Sequence, residues 1–248
     1  MLRTLQRGRY NSGSTVLVRS GEAGVPFNPL SLSPSAWYDF SDVTTLFTDA
    51  GITPVSSDGD LIYQANDKSG NGKHLTQITE GLRPLYKVGI QNGLSVGRFD
   101  VTDDFLQGPS MTFTQPYQWF TVNDFPLDNG HVFGMRLAGD GRLYRVNSTL
   151  LRASFPTVLG ETVSDQSFGV HEALANGASS DIRKNGVELV AGNAGATSKT
   201  DWFRVGYGQG SGQLGGDIGE MFLFLTPISG DNLAALETYL MNKWGISP

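Results

Sequence analysis

The stretch that most constrains this chain runs from Gly216 to Gly245. Met221 to Leu225 is an unbroken apolar run with two Phe, bounded by Gly219 on one side and Thr226-Pro227 on the other. A run apolar on both faces reads as a strand covered on both sides. Ser229 and Asp231 then offer caps for a short helix in which Leu233, Leu236, Leu240 and Trp244 fall near one face, and Gly245 is placed to stop it. A buried strand followed by a one-sided helix is therefore predicted to close the chain.

Elsewhere the texture is that of short strands. The 248 residues include 32 Gly and 11 Pro, a supply of turn-formers that suits many strands better than helices. Strand-length runs occur at 119–122, 131–137, 142–146, 166–171 and 202–207, separated by Gly, Asp and Asn. Asp140-Gly141 and Asn185-Gly186 fall between such runs. The second predicts a two-residue hairpin joining Ile182-Arg183-Lys184 to Val187-Glu188-Leu189, since Asn-Gly accepts the positive φ angles that turn requires. Regularly spaced short strands imply a sandwich or jelly roll, and with no internal linker one domain is expected.

The absence of Cys removes disulfides and thiolate metal sites, and is compatible with assembly in a reducing cytoplasm. No apolar stretch reaches the roughly 18 residues of a membrane span, and no export signal is recognised at the start, so no membrane partner is expected. Net charge is −6, but residues 1–36 hold Arg3, Arg7, Arg9 and Arg19 against Glu22, a net +3, leaving −9 on the remainder. An acidic body argues against nucleic acid as a partner. Residues 1–34, with Pro26, Pro29 and Pro34 and only Thr15–Arg19 as a strand candidate, are expected to form an N-terminal arm, with the body over 35–248.

The body carries a series of small motifs in order: the aromatic Trp37 strand; a turn with Asp67, Ser69, Gly70, Asn71 and Gly72; Arg83-Pro84; Asn92-Gly93 followed by Phe99-Asp100; and the closing Gly216-x-Ile218-x-Glu220 strand with its helix ending in Lys243-Trp244-Gly245. Taken together over about 37–106 and 216–246, these resemble the concanavalin A-like lectin/glucanase superfamily in its laminin-G-like branch, as it recurs in bacteriophage virion proteins. The fold this implies is an all-β antiparallel β-sandwich, a concanavalin A-like jelly roll, with one short C-terminal helix and an extended N-terminal arm. The function it implies is a non-enzymatic virion structural protein, a capsid decoration or a tail or fibre accessory, made in the host cytoplasm. Such a protein would attach to other virion proteins through the arm and assemble as a homo-oligomer. The alternative is a carbohydrate-binding module that recognises host surface glycans.

Glucanases of the superfamily resemble one another in a Glu-x-Asp-x-(x)-Glu strand; here Asp217 and Glu220 remain, but Gly215 stands at the nucleophile position. The three-residue spacing of Asp217 and Glu220 also sends them to opposite faces of a regular strand, so that a shared substrate would need a bulge. No catalytic residue is assigned. Asp67, Asn71, Asp100, Asp103 and Asp104 offer oxygen ligands for calcium, the one cofactor considered, although the same side chains are also ordinary turn-makers. Sugar binding needs exposed aromatics beside polar groups, for which the candidates are Trp119, Tyr117 and Tyr144. His74, His131 and His171 are scattered and predict no zinc site.

Overall fold

The long apolar run does become a fully covered strand, and the sandwich is arranged around it. The computed structural model describes residues 27–127, 130–135, 141–147, 150–155, 157–196, 198–207 and 212–248. In chain order its strands are β1 (Ala36–Asp39), β2 (Leu46–Phe47), β3 (Gln64–Ala65), β4 (Leu75–Thr76), β5 (Leu85–Gln91), β6 (Leu94–Asp100), β7 (Leu106–Thr114), β8 (Tyr117–Asn123), β9 (His131–Met135), β10 (Arg142–Asn147), β11 (Leu150–Ser154), β12 (Val158–Thr162), β13 (Gly169–Ala175), β14 (Ser180–Lys184), β15 (Val187–Gly192), β16 (Ser198–Val205) and β17 (Gly215–Phe224), followed by helix α1 (Gly230–Trp244). They form two antiparallel sheets. One has eight strands, ordered β15-β14-β13-β8-β17-β6-β5 with β1 also on β17; the other has nine, ordered β12-β11-β10-β9-β16-β7-β4-β3-β2.

The protein is an antiparallel β-sandwich with two apolar layers. The first lies between the sheets, where Trp119 of β8 stacks on Phe133 of β9 with ring centroids 4.2 Å apart and meets Phe203 of β16 edge-on. The second lies between the eight-stranded sheet and α1, where Leu236, Leu240 and Trp244 close over Trp37, Phe120, Phe222 and Phe224. β17 has its inner face in the first layer and its outer face in the second, which is why all ten of its residues are buried. The helix ends as expected, with Gly245 left-handed at φ +63. Ser229 does occupy the N-cap position, but makes no side-chain capping bond.

Local turn chemistry also follows the sequence. Asn185 and Gly186 take φ of +50 and +79 and join β14 to β15 with Lys184 opposite Val187. Residues 27–34 lie against the helix side of the body: Phe27 packs on Tyr239 with ring centroids 5.6 Å apart, and Leu32 joins the second apolar layer. Arg3, Arg7, Arg9, Arg19 and the strand expected over 15–19 lie outside the described residues.

Candidate functional site

α1 covers the outer face of the eight-stranded sheet, while among the described residues no helix lies over the centre of the nine-stranded sheet. On β16 the alternation sends Phe203 and Val205 inward and leaves Trp202 39% exposed and Arg204 partly exposed on the outside. Arg204 lies opposite Gly134 of β9, and β9 places Phe133 opposite Leu143 of β10, so Arg142 flanks Gly134 from the other side. Arg204 and Arg142 thus stand about 10 Å apart, two strand spacings, over a floor that lacks a side chain. A Cβ added at Gly134 would meet Arg142 Cγ at 3.0 Å.

Both cations are oriented by neighbours. Arg204 donates from Nε to Gln107 Oε1 at 3.2 Å, and its guanidinium carbon lies 4.1 Å from the Phe105 ring centre and 5.0 Å from that of Tyr207. Arg142 stacks over Tyr144, 5.1 Å from the ring centre. A bulge between β9 and β10 brings His131 opposite Tyr144, with ring centroids 4.8 Å apart. Burial, and then the Arg142 charge, lower the His131 pKa to about 4, so the ring is neutral at ordinary pH. His131 Nδ1 and Arg142 Nε are both buried without a hydrogen-bond partner. This is a polar, aromatic and cationic platform with unspent hydrogen-bonding capacity.

Of the aromatic candidates, Tyr144 is on this platform. Trp119 and Tyr117 are not ligand contacts, because both are core residues, 2% and 0% exposed; Tyr117 packs edge-on against Phe113 and Phe155. Trp202 is the aromatic missed. Its signal was its strand period: Trp202 shares a face with Thr200 and Arg204, while Phe203 and Val205 share the other.

The oxygen-ligand set divides in two. Asp67 accepts from the backbone N–H of Trp37, Ser69 and Lys73 at 2.9–3.0 Å, and Asn71 donates to the carbonyls of Pro34 and Ser35. These side chains hold the 67–73 turn against β1, with Gly70 and Gly72 at positive φ. Asp100, Asp103 and Asp104 do come together, each offering an oxygen within 4.8 Å of the others. Trp37 pairs at Phe222 and Asp100 at Gly215, so the two groups sit near opposite ends of β17, about 23 Å apart along the strand. Five residues do not make one calcium site. Burial opposes it, but the N–H groups of Thr102, Asp103 and Asp104 hold Asp100 below the usual carboxylate range, while burial and then Asp100 push Asp104 up to about 7.

The expectation that Asp217 and Glu220 face opposite ways is corrected. The β17–β8 register shifts between Ile218 and Glu220, and this bulge at Gly219 puts both acids on the outer face. Neither is open to a substrate. Asp217 is gripped by Arg98 through two bonds of 2.7 Å. Glu220 is 0% exposed beneath α1, accepting from the Trp37 indole at 2.8 Å, the Trp244 indole at 3.0 Å and Lys243 at 2.7 Å.

No protein-family model matches the chain, and no curated protein matches it in sequence. Solved structures do match in fold. Domain 4 of AbnA, a GH43 extracellular arabinanase from Geobacillus stearothermophilus, in complex with arabinotriose, superposes with a TM-score of 0.53 at 14% identity, covering 77% of this chain and 91% of that one. A mutant GH54 α-L-arabinofuranosidase soaked with 4-nitrophenyl α-L-arabinofuranoside gives 0.63 at 14% identity, with 87% and 64% covered. An arabinofuranosidase complexed with arabinofuranosyl-α-1,2-xylobiose gives 0.59 at 15%, with 85% and 60% covered. This chain therefore spans less than two thirds of the last two. Identities this low establish a shared sandwich fold. They also correct the expectation of a protein that is not an enzyme, which rested on Gly215 at the nucleophile position and on the spacing of Asp217 and Glu220: chains of this fold include arabinofuranosidases.

Proposed function

We propose that this chain binds carbohydrate across the outer face of the nine-stranded sheet. The observation that carries the reading is Trp202. Trp37, Trp119 and Trp244 are 7%, 2% and 0% exposed, whereas Trp202 is 39% exposed at mid-strand, on the outer face that also carries Arg204, Arg142 and Tyr144. An aromatic face releases water against the C–H face of a sugar ring, while guanidinium and imidazole nitrogens address its hydroxyls. The sugar-bound arabinanase domain, matched over 91% of its length, supports the same reading. Virion attachment has no counterpart among these structural relatives.

The test is Trp202→Ala, titrated with arabino-oligosaccharides and a wider glycan array. Affinity should fall at least about tenfold, the scale of one well-buried contact, while Tm moves only about 2–4 °C. Unchanged affinity would overturn the proposal. Analysing the products after each titration reports whether a bound glycan is also cleaved.

A further inference from the structure

On the helix side of the sandwich, two facing acids each keep one buried oxygen without a donor. Glu172 of β13 shares the outer face of the eight-stranded sheet with Val170, and Gln118 of β8 donates its side-chain amide to Glu172 Oε1 at 2.8 Å. The same Gln118 accepts from the backbone N–H of Ile228, just before α1, at 3.0 Å, which fixes its oxygen there and its nitrogen toward Glu172. Oε1 is therefore an acceptor, and a proton on Glu172 belongs on Oε2. Among the described residues, Glu172 Oε2 has no hydrogen-bond partner, and neither has the buried Oδ1 of Asp181 on β14. The β13–β14 register sets Glu172 opposite Arg183 and Leu174 opposite Asp181, so the two acids are diagonal neighbours, with their carboxyl groups in hydrogen-bonding reach of one another. The surrounding charges are unbalanced. Glu188 of β15 lies opposite Arg183, and Glu237 of α1 accepts from Arg183 Nε at 2.8 Å. From β8 comes only the neutral Gln118, so among the described residues one cation, Arg183, faces four carboxyl groups.

From this geometry we infer that Glu172 and Asp181 share one proton, held between Glu172 Oε2 and Asp181 Oδ1, and that this proton leaves Arg183 free to clasp α1. Two adjacent carboxylates removed from water beside a single cation that is already engaged repel one another at high cost. One proton turns the two facing acceptors into a single O–H···O⁻ bond of the strong, charge-assisted kind. Burial, and then the Asp181 charge, push Glu172 above its usual 4.5; burial raises Asp181 as well, against the pull of the Glu172 bond and of Arg183. The pair stands between two attachments of the helix, Gln118 to Ile228 at its entry and Arg183 to Glu237 along its length. When the proton leaves, the new carboxylate turns to Arg183, the side chain by which β14 holds Glu237, and α1 loosens. The sign follows from the unfolded chain, where both acids are ionised above about pH 4.5 while the fold retains one proton. The stabilisation is complete below about 4.5 and is lost as pH rises through the folded value.

The experiment is urea unfolding of the full chain from about pH 6 to about pH 9, comparing the parent with Glu172→Gln, Asp181→Asn and the double variant. The parent's folding constant should fall more steeply than that of either single variant, by a factor approaching about tenfold per pH unit, the mark of one proton released on unfolding. The double variant should be no flatter than the singles, because either substitution already removes the shared proton. Asp104 and Asp124, pushed up to about 7 and about 6, titrate in all four proteins and cancel in the comparison. An Asp181→Asn curve parallel to the parent's would give the proton to Glu172 alone and overturn the sharing. Carbon NMR of the parent tests the same point without any variant. At about pH 7 the Glu172 Cδ and Asp181 Cγ signals should both be displaced from their ionised positions, and should approach them in step as pH rises. Two fully ionised signals, or one that moves without the other, would overturn the inference. Amide exchange in α1, taken as a ratio to that in β17, should rise by about threefold or more as the proton leaves; a constant ratio would overturn the clasp.

Discussion

The two outer faces of the sandwich have the same backbone and opposite uses. Beneath α1, the outer face of the eight-stranded sheet is apolar, and its charges are internally matched: Lys243 bridges Asp39 and Glu220, and Arg183 reaches Glu237 of the helix. Across the sandwich, among the described residues, no helix lies over the centre of the nine-stranded sheet, and its outer face carries the exposed Trp202 and the partly exposed Arg142, Tyr144 and Arg204. Two glycines condense the contrast. Gly219 makes room for the Trp244 ring, which a Cβ would meet at 2.5 Å, whereas at the buried Gly134 it is the Arg142 stem, 3.0 Å from a built Cβ, that occupies the space. A missing side chain admits a packed ring on one face and a cationic stem on the other.

The sharpest way to break the comparison is at the tryptophans. Trp244→Ala should cost about 3–5 kcal/mol in urea unfolding, the scale for truncating a buried aromatic, because it also strips an indole donor from Glu220. Trp202→Ala should cost under about 1 kcal/mol, as most partly exposed positions do. Equal costs would mean that the second face is packed rather than open. Next in size come the glycines. Gly219→Ala should destabilise by about 1–3 kcal/mol through overpacking against Trp244, while Gly134→Ala should cost less, because only the flexible Arg142 stem must give.

The smallest effect concerns a buried acid on the covered face. Glu172 is 1% exposed, accepts from Gln118 Nε2 at 2.8 Å, and is pushed above its ordinary 4.5 by burial and then by Asp181. Its folded pKa is raised, so its contribution is fully present below about 4.5 and is lost as pH rises toward the folded value. Buried His171, lowered to about 3 by burial and then by Lys184, acts in the opposite sense below about 6.5. Melting temperatures of Glu172→Gln and the parent should therefore be compared between pH 7 and 9. The parent should lose stability with rising pH, and the variant should lose less. Parallel curves would show that Glu172 is already ionised in the fold.

What could be read along the chain was local. The Met221–Leu225 run, the one-sided Leu236-Leu240-Trp244 pattern, the Gly245 stop and the Asn185-Gly186 turn depend on residues within a few positions of one another, and each stands where expected. The motif-based expectations failed where a local rule was overridden. Asp217 and Glu220 share a face because a single bulge at Gly219 breaks the period of two, and nothing in a glycine announces a bulge rather than a tight approach. Trp119 and Trp202 both sit mid-strand among apolar and polar neighbours. One is covered by Phe133 and Phe203 of the opposite sheet, and the other, on the outer face, is 39% exposed.

The sequence by itself determined the fold class, the central buried strand, the closing helix and most of the turns, since backbone conformation and hydrophobic period are short-range properties. Only the tertiary structure decided which sheet face the helix would cover, and therefore which aromatics became core and which remained available. It also gathered Trp202, Arg204, Gly134, Arg142 and Tyr144 from three strands into one platform. The physical reason is that side-chain burial is settled by long-range pairing: a strand alternates the same way whichever of its faces ends up against another layer.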